Sequence, residues 1–375
     1  MLLVLAVASP GRAEPAPDPE PDAVLATLPF ASDEANRVFV DLARPGDRPF
    51  PMMLDTGAGG SVMTPRMARA LGVTVRRMKS TPYRKPTVLG RDLQFRVDTR
   101  TSDTGSKTGF EYGLLGGDFL EEYVVEIDFP GRQVRLLDPK RFRVPEEVTD
   151  PAESAVSLRV TARRPFVEIE LDGAPVQVLL DTGAPLPVLI AGKSARKLGI
   201  DVDALEPFGE MGFVVGSTEG RLYESGAVRI GSISQGPVPV VVVPRGSFNL
   251  GGATDSLAGY DLLAPFLVRL DYPRKRLWLR RTSSLDPVLM GMDYQLGREL
   301  GAFLASAGEK MRVWRIRTNG PAQRFGLRVG DHIPGLGPVL SLETIASRVH
   351  AGEPLTVLRE RDGSWSWVML PEAAR

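Results

Sequence analysis

The plainest pattern in the chain is a two-residue alternation. Val167, Ile169 and Leu171 alternate with Glu168 and Glu170, which predicts a strand with one buried face. Asp172-Gly173 follows as a tight-turn signal, and Val176 to Leu180 returns as a second strand ending at Asp181. An earlier stretch ending at Asp55 matches more loosely, with a longer polar turn through Arg44-Pro45-Gly46-Asp47. Alternation recurs at Val134-Arg135-Leu136, at Leu277-Trp278-Leu279 and at Met311 to Ile316. A short helix is signalled after the first Asp, with Thr64 as N-cap, Pro65 at its first position and Gly72 past its end. The chain therefore reads as mainly β.

These elements repeat. Met53-Leu54-Asp55-Thr56-Gly57-Ala58 has its counterpart in Leu179-Leu180-Asp181-Thr182-Gly183-Ala184. Each is followed by Leu71-Gly72-Val73 or Leu198-Gly199-Ile200 at a similar distance. Further on, Gly116-Gly117-Asp118-Phe119-Leu120 and Val124 to Pro130 align without a gap on Gly259-Tyr260-Asp261-Leu262-Leu263 and Leu267 to Pro273. Several anchors in one order mean a duplication. The expected organisation is a signal peptide over residues 1–13 and a disordered linker over 14–30. A first lobe over 31–140, a linker over 141–157, a second lobe over 158–282 and a small α+β domain over 288–375 follow.

Composition narrows the chemistry. The 375 residues contain no cysteine and only two histidines, His332 and His350. Thiol catalysis and thiolate metal sites are excluded, and a histidine triad cannot form in the first 300 residues. Basic and acidic residues balance at 46 each, so nothing points to a nucleic-acid partner. Leu2 to Ala8 is an apolar run too short to span a bilayer, with small residues at Gly11 and Ala13 suited to signal-peptide cleavage. That pattern predicts export to the periplasm or beyond, and no membrane span in the mature chain.

Acid–base chemistry in the main body must then come from carboxylates, and the duplicated Asp-Thr-Gly supplies two. Two carboxyls about a hydrogen bond apart cannot both ionise; one keeps its proton while the other accepts one, so the pair can serve a hydrolytic water as base and acid. Gly57 and Gly183 let the backbone turn tightly beside them, and Thr56 and Thr182 can hydrogen-bond across a pseudo-twofold axis. These motifs resemble those of retropepsin-like and pepsin-like aspartic peptidases, as do Leu114-Leu115-Gly116 and Leu257-Ala258-Gly259. The resemblance spans residues 35 to 280. It implies two tandem closed-β lobes forming a pseudo-twofold bilobal body, no cofactor and no metal, and a nucleophilic water between Asp55 and Asp181. Thr56, Gly57, Ala58, Thr182, Gly183 and Ala184 would support the site. Pro185 and Pro187 depart from the small polar residues usual after the second motif.

Hairpin flaps gate such sites. The candidates are Ser80 to Gly90, with Tyr83, and the Gly-rich Gly209 to Gly220, with Phe213 and Val214. In the C-terminal part, Asn319-Gly320-Pro321-Ala322 and Phe325 to Ile333 resemble the signature of PDZ domains of bacterial secreted proteases. A helix near Leu342 to Val349 and a strand near Trp365 to Leu370 would complete that fold. The resemblance implies that Gly301-Ala302-Phe303-Leu304 holds a peptide's terminal carboxylate. The expected partner is a peptide or protein substrate, and the expected state a monomer. Two other readings stay open here: units that pair between chains, and a non-catalytic peptide-binding adaptor descended from a peptidase.

Overall fold

The computed structural model describes residues 18–32, 37–42, 50–65, 83–86, 92–97, 113–129, 131–184, 186–213, 216–235, 238–244, 254–282, 302–307, 310–316, 321–324, 326–328, 331–334, 355–361 and 364–370. It is mainly β, as the alternation predicts, and its body is two lobes joined by a shared sheet. Each duplicated unit ends in a hairpin: Val124–Asp128 with Gln133–Leu137 in the first, Phe266–Asp271 with Arg276–Arg281 in the second. The leading strands of the two hairpins pair antiparallel, Val125 opposite Leu270 and Ile127 opposite Val268. Glu153–Ser157 closes one side of this platform and Val24–Ser32 the other.

Glu126 lies opposite Arg269, and these are equivalent positions of the two units, 143 residues apart. The pseudo-twofold axis therefore passes between them. Both side chains are fully buried, with Arg269 Nε donating to Glu126 Oε2 at 2.7 Å. The Arg269 guanidinium is stacked between Trp278, at 4.3 Å, and Phe142, at 5.0 Å. Two buried charges are tolerable here because each is paired and the cation has aromatic faces on both sides.

From the platform one sheet runs on into the first lobe through Val38–Leu42, Phe50–Leu54, Gly113–Leu115, Val62–Met63, Asp92–Val97 and Tyr83–Pro86. The second lobe has its own 10-stranded sheet, in which Arg164–Leu171 and Ala174–Asp181 form the predicted hairpin. Val167, Ile169 and Leu171 are buried in it, and Glu168 is exposed. Asp172 and Gly173 turn the chain at φ 51° and 83°, the left-handed pair that a two-residue hairpin requires. In both lobes the apolar-apolar-Gly strand runs parallel to the strand that ends in Asp: Leu54 beside Leu115, and Leu180 beside Ala258.

Two boundaries need correction. Residues 24–30, assigned to a disordered linker, form most of the Val24–Ser32 strand, with Leu28 and Phe30 buried. The spacer stops earlier because Leu28 and Phe30 on one face of this strand close the core of the platform. The linker 141–157 likewise contributes a strand, Glu153–Ser157, and a core residue, Phe142. Beyond Pro65, the helix signalled after the first Asp lies outside the described residues.

The C-terminal part is a separate 5-stranded sheet in the order Ala302–Ala307, Lys310–Ile316, His332–Pro334, Leu355–Arg361 and Ser364–Leu370. Arg361 grips both oxygens of the buried Asp331 at 2.6 Å, which fastens the turn ahead of His332 to a distant strand. The helix expected near 342–349 lies outside the described residues.

Candidate active site

Asp55 and Asp181 come together between the lobes. Each stands at the end of a strand in the middle of its sheet, and each loop closes on itself. Ala58 N–H donates to Asp55 Oδ1 at 3.0 Å, and Gly183 N–H donates to Asp181 Oδ1 at 3.0 Å. The two carboxyls lie close enough for each to shift the other's ionisation. Space requires Gly57, where a methyl would lie 2.4 Å from the Asp181 carboxyl carbon, and favours Gly183, where one would lie tightly at 3.0 Å from that of Asp55. Each lobe thus presents bare backbone to the other lobe's acid.

The threonines beneath lock the two loops reciprocally. Thr56 N–H donates to Thr182 Oγ1 at 3.2 Å and Thr182 N–H to Thr56 Oγ1 at 3.1 Å. The hydroxyls donate onward, Thr56 to the Leu180 carbonyl at 2.7 Å and Thr182 to the Leu54 carbonyl at 2.6 Å. Both side chains are fully buried. Each hydroxyl accepts from one lobe's partner loop and donates to its strand, so neither lobe can shift without breaking buried bonds.

The outer parts of the loops are also pinned, and here the lobes differ. Gly117 N–H donates to Ala58 O at 2.8 Å, and Tyr260 N–H to Ala184 O at 2.9 Å. In the first lobe Gly116 N–H reaches the Ser61 hydroxyl at 3.1 Å, which in turn donates to Asp118 at 2.6 Å. The corresponding position of the second lobe is Pro187, whose carbonyl takes the Gly259 N–H at 2.9 Å. A backbone acceptor replaces the hydroxyl, which explains how proline stands at this position. Pro185 lies outside the described residues.

The two acids are not equivalent. Burial, then the adjoining Asp181 charge and the hydrogen bond to it, holds the Asp55 carboxyl well above the usual range. Burial also raises Asp181, but the bond from Asp55, the Gly183 and Ala184 amides and the Arg164 charge oppose it. Both carboxyls are thus held above the usual range, and the arginine charge acts on the Asp181 side. Tyr272, buried in the core just past the Phe266–Asp271 strand, has its hydroxyl pushed upward by burial and by the Asp55 and Glu121 charges.

Neither Arg164 nor Tyr272 was singled out from the sequence. Arg164 was legible: a two-residue turn at Asp172-Gly173 sets a register that brings residue 164 opposite residue 181. Tyr272 carried no local signal, being one aromatic in a buried strand end.

Of the flap candidates, Tyr83–Pro86 pairs antiparallel with Asp92–Val97, and Glu206–Phe213 pairs with Gly216–Ser225, Phe213 opposite Gly216. Both are hairpins; Val214 and the rest of the first candidate segment lie outside the described residues. Among the PDZ-loop candidates, Gly301 lies outside them too, while Ala302 is buried and opens a strand that includes Phe303 and Leu304. The predicted loop is thus largely strand, because Ala302 pairs with Ile316 and Phe303 with Arg315. Among the described residues no three His, Asp or Glu side chains are grouped to hold a metal, and no helix is long and apolar enough to cross a membrane.

Residues 42–101 and 167–262 match the sequence profile of a family described as aspartyl protease. Both lobes carry that match. Among solved structures the chain is similar to a retropepsin-like aspartic protease from Rickettsia conorii, at 21% identity over 34% of this chain and 92% of that one, TM-score 0.28. It is also similar to an aspartic proteinase from Irpex lacteus, at 13% identity over 69% and 97%, TM-score 0.41. Conglutin gamma from lupine seeds, a basic 7S globulin, follows at 13% identity over 68% and 95%, TM-score 0.39. Comparison with curated proteins found no match.

Replacing Thr56 by Val leaves the buried Leu180 carbonyl and Thr182 amide without partners. That change should lower unfolding free energy by about 2–4 kcal/mol, with Thr56→Ser within about 1 kcal/mol of the parent, both read by urea denaturation. A second outcome concerns pH. The folded chain keeps the Asp55 proton to a higher pH than the unfolded chain, whose Asp releases it near pH 3.9, so above that pH the native state binds more protons and loses stability as pH rises. The stability of Asp55→Asn relative to the parent should therefore grow from about pH 4 upward; a gap that stays constant in thermal melts refutes the assignment.

Proposed function

We propose that the chain is an exported aspartic endopeptidase in which Asp55 and Asp181 jointly activate a water. The observation that carries this reading is that each lobe's buried carboxyl lies against the other lobe's Asp-Thr-Gly loop, over the interlocked threonines. The family match over both lobes supports it. In the proposed reaction ionised Asp181 takes a proton from the water as its oxygen attacks the peptide carbonyl carbon. Protonated Asp55 donates to the carbonyl oxygen. The proton gained by Asp181 then goes to the departing amine as the C–N bond breaks, and the tetrahedral hydroxyl returns its proton to Asp55. Both carboxyls end as they began, so no cofactor is consumed. The Phe213-bearing hairpin is the proposed flap of the second lobe, and Tyr83 belongs to that of the first. The apolar run Leu2 to Ala8 supports export.

The Glu126–Arg269 contact favours a dyad formed within one chain. Units pairing as identical copies would set Glu126 against Glu126 and Arg269 against Arg269 across the axis, two buried like-charge pairs. A monomer is the state that follows.

Asp55→Asn and Asp181→Asn should each lower kcat/KM by on the order of 10³-fold or more with the melting transition retained, measured on unfolded casein and a peptide library from pH 3 to 7. Undiminished hydrolysis by either variant, or no hydrolysis by the parent across that range, counts against the proposal.

For the C-terminal sheet we propose peptide-end recognition in the PDZ manner. Ala302–Ala307 is an edge strand, paired only with Lys310–Ile316 among the described residues, and such an edge can accept a further strand. Peptides with a free terminal carboxylate should bind the intact chain at least about tenfold more tightly than their amidated forms in fluorescence polarisation. Equal binding of the two forms removes the carboxylate from the proposal.

A further inference from the structure

The duplication provides an arginine opposite each aspartate, yet the two arginines do different things. In the second lobe Phe166 pairs with Leu179, so the same register carried two residues further sets Arg164 opposite Asp181. In the first lobe Phe39 pairs with Met53, which sets Arg37 opposite Asp55. The Arg37 guanidinium folds back over the Phe39 ring of its own lobe, 5.8 Å from the centroid. The corresponding ring, Phe166, is instead covered by Arg159 at 5.5 Å, and Arg164 goes elsewhere.

Its Nε lies against Gly59, in the loop that follows Asp55. The turn before Arg164 is a left-handed pair, Ala162 at φ 49° and Arg163 at φ 64°, that tucks against the first lobe. A methyl group on Gly59 would meet the Ala162 carbonyl at 2.4 Å and Arg164 Nε at 3.4 Å, and one on Gly117 would meet the Arg163 carbonyl at 2.0 Å. Across the same boundary Arg163 Nε pairs with Glu121 at 3.0 Å. Arg164 is thereby held between its own strand and the first lobe's active-site loop, beside Gly59, two residues along from Gly57, against which the Asp181 carboxyl lies.

We propose that Arg164 is a positioning residue for the reaction proposed above: its fixed charge keeps the negative charge of the pair on Asp181 and the resting proton on Asp55. Two loops of the same Asp-Thr-Gly-Ala sequence related by a pseudo-twofold axis differ little by themselves, and a fixed charge beside one of them adds to the difference. Among the described residues the neighbouring charged and titratable groups include Asp118, bonded to the Ser61 end of the first loop, and Glu121, whose charge acts on Tyr272 with that of Asp55. Asp181 faces Asp55 and the Arg164 charge; Asp55 faces Asp181 and, from the central platform, Tyr272. The electrostatics agree with the geometry, since the Arg164 charge lowers Asp181. The role is a division of labour that duplication made available, because a pair built from two copies of one unit would carry the same arginine twice.

The inference rests on the peptidase reading for its purpose, but its test does not need turnover. Carboxyl-¹³C aspartate is incorporated into the intact chain, and the Asp55 and Asp181 signals are identified by their loss in the two Asn variants. In the parent, Asp181 should show a carboxylate shift at pH values where Asp55 still shows a carboxylic acid. In Arg164→Met, ionisation of Asp181 should move to higher pH, leaving its ionised fraction on the acid side roughly three- to tenfold lower. Arg164→Lys should restore the parent titration, and Arg37→Met should leave Asp181 unmoved. Where Arg164→Met fails to fold by near-ultraviolet circular dichroism, Arg164→Gln takes its place. If the chain is active, the acid limb of kcat/KM should move with the Asp181 signal while KM stays within about twofold. Superimposable titrations of the parent and the charge-removed variant overturn the role of Arg164, whatever the Asn variants do to hydrolysis. Loss of hydrolysis in neither Asn variant, with the titrations as expected, overturns the peptidase reading and leaves the electrostatic one.

Discussion

The structure turns on holding two buried carboxyls against each other at a lobe boundary, and the restraint that does so is the reciprocal threonine lock. Bringing two acids out of water and together is unfavourable on both counts, desolvation and like-charge repulsion. The opposing contributions are local and geometric. Backbone amides donate to the carboxyls, and four buried hydrogen bonds through Thr56 and Thr182 prevent the lobes from drifting apart to relieve the repulsion. The bare backbone at Gly57 and Gly183 is what lets the acids approach at all.

A second restraint lies in the central platform, beyond the loops. Glu126 and Arg269 descend from one position of the ancestral unit and now carry opposite charge at the axis itself. Buried ion pairs contribute little net stability, because desolvation offsets most of the attraction, but they discriminate strongly against mismatched partners. The stacking of Arg269 between Trp278 and Phe142 adds residues that only one side of the axis possesses. Duplication followed by divergence has thus turned a symmetric contact into a directional one. The same change of character separates Arg37 from Arg164 and Ser61 from Pro187. In each pair the backbone path is kept while the side-chain chemistry departs from symmetry.

Much of this was legible in the chain. Period-two alternation located the strand at 167–171, Asp172-Gly173 its turn, and the gapless match of 116–130 onto 259–273 the second unit. The paired Asp-Thr-Gly motifs named the acids, their glycines and their threonines. Legibility failed where burial depends on a distant surface. Val24–Ser32 and Glu153–Ser157 read as spacers because prolines and charges surround them, and they are strands because the platform offers each an edge to pair with. The PDZ-loop segment read as loop from a motif, while pairing with Lys310–Ile316 makes it strand.

What the sequence determined by itself was local and repetitive: which segments alternate, where turns need left-handed backbone, and which residue types recur at matching places. Those properties depend on neighbours within a few residues, so they survive in one dimension. The tertiary structure alone decided which equivalent residues meet across the axis, which of two identical motifs has an arginine charge acting on its acid, and that Tyr272 stands close enough to feel Asp55. These depend on charge and burial between groups more than 100 residues apart, where electrostatic interaction falls with distance in space and is indifferent to distance along the chain.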